Sequence, residues 1–371
     1  MRLTLVISSL GRGGAERIIS VLAGAWAKQG VEVMLVTFDD KEAPAYAIDP
    51  RVALCALKVP NELARNSVQR LYRNLLRVIR LRRLIGRFRP EIVISFLSVP
   101  NVVSLLATRG MHIPVIVSER ANPRYDKVKR IWKPLRRFIY PSADALVCQT
   151  SAMVEQLRQT IKVPGYAIPN PVELPSSFSA ETQTPASPGA RTIIGMGRLV
   201  PQKGFDLLLE AFSRIAGKHP QWSIKVLGNG PDKERLEAQA ESLGLKNRVS
   251  FVGAVSDPFP VLHAADLFVF SSRFEGFGNA LIEAMACRLP VISFDCPAGP
   301  ADIIRDGVDG VLVPREDVAA LATAMDRLMS DPAERERLAR RAPEVLTRFS
   351  LKRVLGMWEA LFNDVLRARK K

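Results

Sequence analysis

Residues 271–283 have the sequence SSRFEGFGNALIE, and they predict the architecture of the second half of the chain. They follow the apolar run Leu267–Phe270, which is typical of a buried parallel strand. They lead into Ala280–Cys287, whose Ala, Leu and Met content favours a helix. The sequence therefore predicts a strand, a glycine-bearing loop and a helix N-terminus in succession.

Two kinds of polar group meet in this loop. Backbone N–H groups at a helix N-terminus, together with the positive end of the helix dipole, favour anionic oxygens. The carboxylates of Glu275 and Glu283, with seven residues between them, accept hydrogen bonds from hydroxyls such as those of a sugar or a ribose. A nucleotide-sugar carries both phosphate and hydroxyl groups, so the stretch predicts a site for one.

The run EGFGNALIEAMA, residues 275–286, resembles the donor-site motif of the retaining family 4 glycosyltransferases. The resemblance implies an α/β fold of two facing Rossmann-like domains, the GT-B architecture, with a cleft between them. It also implies that transfer retains the anomeric configuration, by front-face attack assisted by the leaving phosphate, and that no catalytic metal is needed. No cofactor is expected, since the nucleotide-sugar donor is a co-substrate.

The length of the chain, 371 residues, exceeds what one ordinary hydrophobic core supports, so two domains are expected. Residues 168–171 resemble the crossover between the two domains of the family, and the Ser-, Thr- and Pro-rich stretch 175–188 is typical of a linker. Residues 354–366 resemble the terminal helix that crosses back. We expect an N-terminal, membrane-facing acceptor domain of residues 1–172 and 350–371, and a donor domain of residues 173–349.

The composition gives further expectations. No apolar run approaches the roughly 18–20 residues that span a bilayer, and the apolar run at the N-terminus is too short for a signal peptide. We therefore expect a cytoplasmic protein. The four cysteines have no Cys-x-x-Cys spacing and there are three histidines, so no metal site is predicted and the thiols are expected to be buried.

The positive charge of the chain is concentrated in its first half. Residues 1–170 contain 27 Lys and Arg against 12 Asp and Glu, whereas the remainder contains 26 against 25, within a total net charge of +16. Such asymmetry points to a polyanionic surface, either a membrane or a nucleic acid, as the partner of the first domain.

The N-terminal strand Arg2–Ser8 is followed by the glycine-rich turn LGRGGAER, residues 10–17. This is the opening of a nucleotide-binding type of domain. Glu16 occupies the place of the last glycine of the dinucleotide fingerprint, so a dehydrogenase is disfavoured. The family carries a similar Gly-Gly-x-Glu loop, which implies that Gly13 and Gly14 line the donor site and that Glu16 contacts the acceptor.

Residues 61–88 predict a long basic amphipathic helix. Its arginines recur every three or four residues, and apolar residues cluster on another face, a pattern suited to an anionic membrane surface. Arg73, Arg77 and Arg80 would also grip the diphosphate of a lipid-linked acceptor. A second basic cluster, residues 120–137, contains eight Lys or Arg and Trp132, and Phe138 and Tyr140 follow it. This cluster strengthens the membrane hypothesis.

The segment SERANP, residues 118–123, lies where many relatives carry a histidine near the reacting sugar. Arg120 stands there instead. Its guanidinium can stabilise charge but is unsuited to accept a proton. Arg120 and Ser118 are therefore predicted to contact the acceptor, with Glu119 and Asn122 as further polar candidates.

Arg198 and Lys203, five residues apart in a predicted strand-to-helix loop, suit the two phosphates of one diphosphate. The resemblance implies that they stabilise the leaving group, while Glu275 holds donor-sugar hydroxyls and Glu283 the ribose. Arg198, Lys203 and Glu275 are therefore the predicted catalytic residues. The other predicted donor-binding residues are Gly13, Gly14, Gly253, Gly276, Phe277, Gly278, Asn279 and Glu283.

The acceptor is predicted from three segments: ISFL at 94–97, SERANP at 118–123 and GPADII at 299–304. Together they resemble bacterial enzymes that extend polyprenyl-diphosphate-linked glycans. We therefore expect transfer of a hexose or N-acetylhexosamine, with UDP as the nucleotide, to a lipid-linked saccharide at the cytoplasmic face of the inner membrane.

Three alternatives remain open at this stage. A transferase with a soluble acceptor would ignore membranes, and a nucleotide-sugar epimerase of the same fold would release free sugar. A nucleic-acid-binding protein would explain the basic first half but not the paired charges of the second half. No nucleic-acid-binding motif accompanies the arginine stripe, so nucleic acid is not the expected partner.

Overall fold

The computed structural model describes residues 1–39, 43–59, 67–120, 132–175 and 190–369. Contacts divide the chain into two compact units, Met1–Asn170 with Val354–Lys371, and Pro171–Arg353. Some predicted features lie outside the described residues. These are residues 61–66 of the basic helix, residues 121–131 of the second basic cluster, which include Asn122, and residues 176–188 of the linker.

The described part of the first unit contains a seven-stranded parallel sheet in the order β3-β2-β1-β4-β5-β6-β7. Its inner strands β1, β2, β4, β5 and β6 are apolar runs that are almost wholly buried, as expected for a parallel sheet with both faces covered. The strands are β1 (Arg2–Ile7), β2 (Glu32–Thr37), β3 (Ala53–Ala56), β4 (Ile92–Phe96), β5 (Val115–Ser118), β6 (Ala145–Cys148) and β7 (Gly165–Ala167).

Helices connect these strands in the manner of a doubly wound fold. The predicted basic helix is present, and its described part begins at Ser67. The helices of this part of the chain are α1 (Gly14–Lys28), α2 (Ser67–Phe88), α3 (Ser98–Thr108), α4 (Trp132–Ile139) and α5 (Ser151–Arg158).

The second unit contains, in its described part, a six-stranded parallel sheet in the order β10-β9-β8-β11-β12-β13. The predicted succession of strand, loop and helix around residues 271–283 is confirmed. The strands of this sheet are β8 (Arg191–Met196), β9 (Trp222–Leu227), β10 (Val249–Gly253), β11 (Leu267–Phe270), β12 (Val291–Asp295) and β13 (Val311–Pro314). Its helices are α6 (Phe205–Ser213), α7 (Lys233–Ser242), α8 (Phe259–His263), α9 (Asn279–Ala286), α10 (Pro300–Ile303), α11 (Val318–Ser330), α12 (Pro332–Arg341) and α13 (Val345–Arg348).

The terminal helix α14 (Leu351–Ala368) belongs to the first unit from Val354 onward. Trp358 stacks on Phe96 at a centroid distance of 6.5 Å and meets Trp26 edge to face at 5.9 Å. Both Trp358 and Trp26 are essentially inaccessible to solvent. The burial of these large rings makes the last helix part of the first core.

Each sheet reverses its winding direction once. In the first sheet the reversal lies between β1 and β4, and in the second between β8 and β11. Ligands of open α/β sheets bind at the carboxyl ends of the strands at such a point. The loops that follow β8 and β11 are therefore the first place to look for a donor site.

Candidate active site

Lys203 and Glu275 meet at the switch point of the second sheet. The Nζ atom of Lys203, in the loop after β8, lies 2.5 Å from Oε1 of Glu275, in the loop after β11. Ser272 donates its hydroxyl to the same oxygen at 2.6 Å. Glu275 is 7% exposed, so this carboxylate is held by a cation and a hydroxyl in a largely water-free setting.

The turn that carries Lys203 is built against the turn that carries Glu275. Gly204 has φ of 62°, and a Cβ there would lie 2.0 Å from the carbonyl oxygen of Ser271. Ser271 in turn donates its hydroxyl to the Lys203 carbonyl at 3.0 Å. Only glycine fits this left-handed position beside another backbone, and this close approach sets the lysine next to the glutamate.

The loop of residues 276–279 offers its backbone rather than its side chains. Phe277, a predicted donor contact, has its ring in the core, 5.6 Å from the ring of Phe349 in an edge-to-face arrangement. Gly278 is the N-cap residue, immediately before the first residue of α9. Glu283 lies farther along α9 and is 7% exposed. The predicted role of Phe277 is therefore limited to its main-chain groups, while those of Gly276, Gly278, Asn279 and Glu283 stay predictions.

The loop after β12 packs against the loop that carries Glu275 and residues 276–279. The backbone N–H of Glu275 points to the Pro297 carbonyl at 3.5 Å. Gly299 has φ of 111°, and a Cβ there would lie 1.7 Å from the carbonyl oxygen of Phe277. Nearby Cys296 is buried, and burial raises the pKa of its thiol to about 12, with Glu275 adding to the effect. The thiol is therefore neutral at physiological pH and is no ready nucleophile.

We expect Gly299→Ala to destabilise the second unit, because the new Cβ must displace the Phe277 carbonyl and with it the loop of residues 276–279. Gly307→Ala is the matched control, since Gly307 also has a positive φ, of 69°, but has open space around it. The control should lose only the backbone term of about 1–2 kcal/mol, or roughly 2–8 °C in melting temperature. Equal losses in thermal unfolding for the two variants would contradict the packing argument.

Arg198 and Gly253 lie on the same edge of the sheet. Arg198 is exposed in the loop after β8. The N–H of Gly228, after β9, donates to the Gly253 carbonyl at 2.7 Å, which joins the ends of β9 and β10. The structure thus places both residues on the carboxyl edge that also carries Lys203, and their roles in donor binding stay predictions.

The glycine-rich turn of the first unit also leads into a helix N-terminus. Gly13 precedes α1, and Gly14 is its first residue. The carboxylate of Glu16 lies over Gly13. A Cβ atom at position 13 would come within 2.2 Å of Glu16 Oε2. Gly13 and Glu16 are thus in contact, whereas their predicted contacts with donor and acceptor stay predictions.

Ser118 and Arg120, both predicted to contact the acceptor, are buried. Ser118 is inaccessible to solvent, and its hydroxyl points to the Val147 carbonyl at 3.4 Å. The guanidinium of Arg120 lies 4.0 Å from the ring centroid of Phe96 and donates to Asn170 Oδ1 at 2.8 Å. Burial lowers the pKa of Arg120 to about 9, so it stays charged at neutral pH. Both side chains are thus buried in this structure, and their predicted contacts with the acceptor stay predictions.

Glu119, between these two residues, is the centre of a buried polar network that the sequence did not reveal. Tyr140 donates its hydroxyl to Glu119 at 2.5 Å, and Ser98 donates at 3.1 Å. The Arg136 guanidinium lies 3.5 Å from the same carboxylate. Burial and the neighbouring carboxylate raise the pKa of Tyr140, so it remains a hydroxyl donor. This network fixes α4 at the carboxyl edge of the first sheet.

Helix α2 presents its faces differently from the prediction. Arg77, a predicted acceptor contact, is 4% exposed, donates to the Val59 carbonyl at 2.9 Å and lies over Phe38. Arg80 donates to the carbonyl of Leu57 at 2.6 Å. These two arginines tie α2 to the segment after β3, because their guanidinium groups satisfy its main-chain acceptors. Arg77 is thus buried with its guanidinium on protein groups, and the predicted acceptor contacts of Arg73, Arg77 and Arg80 stay predictions.

The outer face of α2 is instead apolar in its first half. Five large side chains recur on one side of the helix at spacings of three or four residues, apart from one adjacent pair. We call them the α2 apolar face. They are Val68, Leu71, Tyr72, Leu75 and Ile79, with exposed fractions of 75%, 72%, 60%, 54% and 37%.

Two absences hold for the part of the chain that the structure describes. It contains no group of three or more His, Cys, Asp or Glu side chains that could hold a metal ion. Nor does any of its helices combine the length and apolar character that crossing a membrane takes.

Comparison with known families matches both halves of the chain. Residues 179–345 match the family described as Glycosyl transferases group 1, and residues 12–175 match Glycosyltransferase Family 4. Among solved structures, a sucrose-phosphate synthase from Thermosynechococcus elongatus superposes with a TM-score of 0.84 at 20% identity, covering 99% of both chains. The Anabaena protein Alr3699/HepE in complex with UDP gives 0.75 at 19% identity, covering 97% of this chain and 99% of that one. At these identities the likeness concerns the fold alone.

Curated relatives share more of the sequence. An exopolysaccharide phosphotransferase of Streptomyces coelicolor is 34% identical over 62% of this chain. The aligned part covers only 24% of that longer protein. An α-1,4-N-acetyl-D-galactosaminyltransferase of Campylobacter jejuni, named for a diNAcBac-PP-undecaprenol-linked saccharide, is 29% identical over 99% of this chain and 100% of its own length. The lipopolysaccharide core biosynthesis glycosyltransferase LpsD of Rhizobium meliloti is 30% identical over 76% of this chain and 78% of its own. The chain therefore belongs to the family 4 glycosyltransferases, and it has their GT-B fold of two Rossmann-like units.

Proposed function

We propose that this glycosyltransferase moves a hexose or N-acetylhexosamine from a UDP-sugar to a saccharide carried on a polyprenyl diphosphate, with retention of anomeric configuration. The observation that carries the proposal is the meeting of Lys203 and Glu275 at the switch point of the second sheet. A cation for phosphate and a carboxylate for sugar hydroxyls stand side by side there, beside the N-terminus of α9. The Campylobacter relative, which aligns over its whole length, supports a lipid-linked acceptor.

The proposed mechanism follows from where charge develops. Breaking the bond between the anomeric carbon and the phosphate leaves negative charge on the departing diphosphate. Lys203, Arg198 and the backbone N–H groups of residues 276–279 would stabilise that charge. The acceptor hydroxyl attacks the anomeric carbon from the same face and gives its proton to the leaving phosphate. Glu275 would hold donor-sugar hydroxyls throughout, and Glu283 the ribose.

The test is an assay with UDP-, GDP- and ADP-sugars, with and without polyprenyl-diphosphate-linked saccharides extracted from membranes. Nucleotide release and the mass of the lipid-linked product are followed together. Acceptor-dependent release with an added sugar mass is the expected result. Release of free sugar without an acceptor would instead favour an epimerase, and transfer to a water-soluble saccharide alone would overturn the lipid-linked acceptor.

The membrane part of the proposal rests on the α2 apolar face and on the charge of the unit that carries it. Large apolar side chains on one helix face cost free energy in water, and an interface buries them. The surplus of Lys and Arg in residues 1–170 would add attraction to anionic lipids at the cytoplasmic face of the membrane. Phe138 on α4 is 79% exposed and adds an aromatic side chain to the same unit.

We expect the double variant Leu71→Ser with Leu75→Ser to bind phosphatidylglycerol-containing vesicles about tenfold more weakly, because two large side chains no longer enter the interface. Flotation of the protein with vesicles measures the effect. The control is Val252→Ser with Val308→Ser, which removes two exposed apolar side chains, 52% and 38% accessible, from the second unit. Unchanged flotation of the α2 variant, or an equal loss in the control, would contradict the proposal.

A further inference from the structure

Arg273 stands two residues before Glu275, and its side chain binds an acid next to Lys203. Its Nη1 and Nη2 atoms donate to the two carboxylate oxygens of Asp206 at 2.8 and 2.6 Å. Asp206 lies in the first turn of α6, three residues after Lys203. The ion pair is bidentate and only about one fifth exposed on either side, so it is among the stronger kinds of contact.

Further hydrogen bonds join the same two loops. Arg273 donates through Nη1 to the Pro201 carbonyl at 2.7 Å and through its backbone N–H to the Gln202 carbonyl at 2.8 Å. The Gln202 amide donates to the Phe274 carbonyl at 3.0 Å. Several hydrogen bonds thus join the loop of residues 201–204 to the loop of residues 271–275, close to the Lys203–Glu275 contact.

The positions of these two side chains matter for the proposed chemistry. Lys203 is the last residue of a single 3₁₀ turn, Pro201–Lys203, between β8 and α6, and Glu275 lies in the loop that follows β11. Both therefore depend on the connections between long regular elements for their position. A displacement of about 1 Å in such a group costs up to about 10²-fold in rate. Asp206 is partly buried, which by itself would raise its pKa, yet the bonds from Arg273 hold that pKa below its usual value. The carboxylate therefore stays ionised.

We propose that Arg273 and Asp206 form a clamp, defined by these two residues, that sets the spacing of Lys203 and Glu275 and thereby the rate of transfer rather than the affinity for the donor. The inference rests on the proposed function, because it assigns Lys203 and Glu275 to the transfer step. Arg273 and Asp206 are positioning residues, since they act through those two side chains.

The test compares Arg273→Gln, Asp206→Asn and the double variant in steady-state transfer. Each single variant should lower kcat about 10- to 100-fold, with the KM for the donor changed by no more than about threefold, because the clamp positions the reacting groups instead of binding the donor. The double variant should be no slower than the slower single variant, because Arg273→Gln already removes the contact that Asp206→Asn removes. Arg273→Lys, which keeps the charge without the bidentate geometry, should fall between wild type and Arg273→Gln.

Arg191→Gln is the matched control. Arg191 and Asp266 form an ion pair at 2.6 Å that joins the start of β8 to the residue before β11, at the opposite ends of the same two strands. This variant should lower the melting temperature about as much as Arg273→Gln and leave kcat unchanged. Equal losses of kcat in the two variants, or losses that multiply in the clamp double variant, would overturn the clamp.

The clamp and the proposed function fail in distinguishable ways. A wild-type protein that transfers no sugar to any acceptor would overturn both. If the wild-type protein transfers sugar and the clamp variants have the same kcat as the wild type, the clamp alone is overturned.

Discussion

Replacing Glu275 with Gln is expected to lower kcat for sugar transfer by about 10²–10³-fold while the protein stays folded. The substitution keeps the size of the side chain but removes its charge. In the described part of the chain, Lys203 and Ser272 both bind Oε1, which leaves Oε2 available for donor-sugar hydroxyls. A neutral amide accepts weaker hydrogen bonds from those hydroxyls and no longer neutralises the lysine.

The measurement is turnover at saturating donor, with the product mass confirming transfer. Glu210→Gln is the control, because Glu210 is an acid of the same unit that makes an exposed ion pair with Arg214 at 2.7 Å. Surface pairs of this kind contribute about 0–1 kcal/mol, so the control should keep wild-type turnover and nearly wild-type stability. Wild-type turnover in Glu275→Gln would remove that residue from the reaction.

The sequence predicted the site residues from two motifs, one that holds Arg198 and Lys203 and one that holds Glu275 and Glu283. Glu275 and Glu283 stand in a single run of residues, and the apolar strand before them and the helix after them are local signals as well. The contacts between the two loops were not predicted. Lys203 lies 72 residues away from Glu275, and Arg273 meets Asp206 across 67 residues, so their contacts follow from the sheet order. No spacing in the sequence encodes those distances.

The two edge strands of the first sheet were not predicted either. Strand β3 is four residues long and largely exposed, and β7 has three residues of intermediate burial. Edge strands pair on one side only and need little apolar character, so the hydrophobic pattern is weak there. The doubly wound parallel sheets themselves were predicted correctly, because their inner strands are continuous apolar runs bounded by turn residues.

Helix α2 shows where periodicity misleads. The regular spacing of its arginines indicated one exposed basic stripe, yet Arg77 is buried and Arg80 is occupied by main-chain carbonyls. An arginine can bury its aliphatic stem and still satisfy its guanidinium on backbone oxygens. Periodicity identifies which residues share a face, but it cannot tell which face meets the protein when a polar residue finds internal partners.

Replacing Lys203 with Met is expected to reduce kcat by about 10²–10³-fold, comparable with the loss in Glu275→Gln. Methionine keeps the length of the stem, which lies beside Gly197, but it removes the ammonium group that would stabilise the leaving diphosphate. The change also leaves the Glu275 carboxylate with Ser272 as its remaining hydrogen-bond donor in the described structure. An acid in this setting without its cation binds the donor sugar in a less defined position.

Because Lys203 and Glu275 touch, their effects should not be independent. The double variant Lys203→Met with Glu275→Gln should lose less than the product of the two single losses, since each single change already breaks the shared ion pair. Lys218→Met is the control: Lys218 is an exposed lysine of the same unit that pairs with Asp326 at 3.2 Å, and its loss should leave kcat unaltered. Single losses that multiply fully would show that the ion pair of this structure does not persist during transfer. The lysine would then act on the diphosphate alone, and the glutamate on the sugar alone.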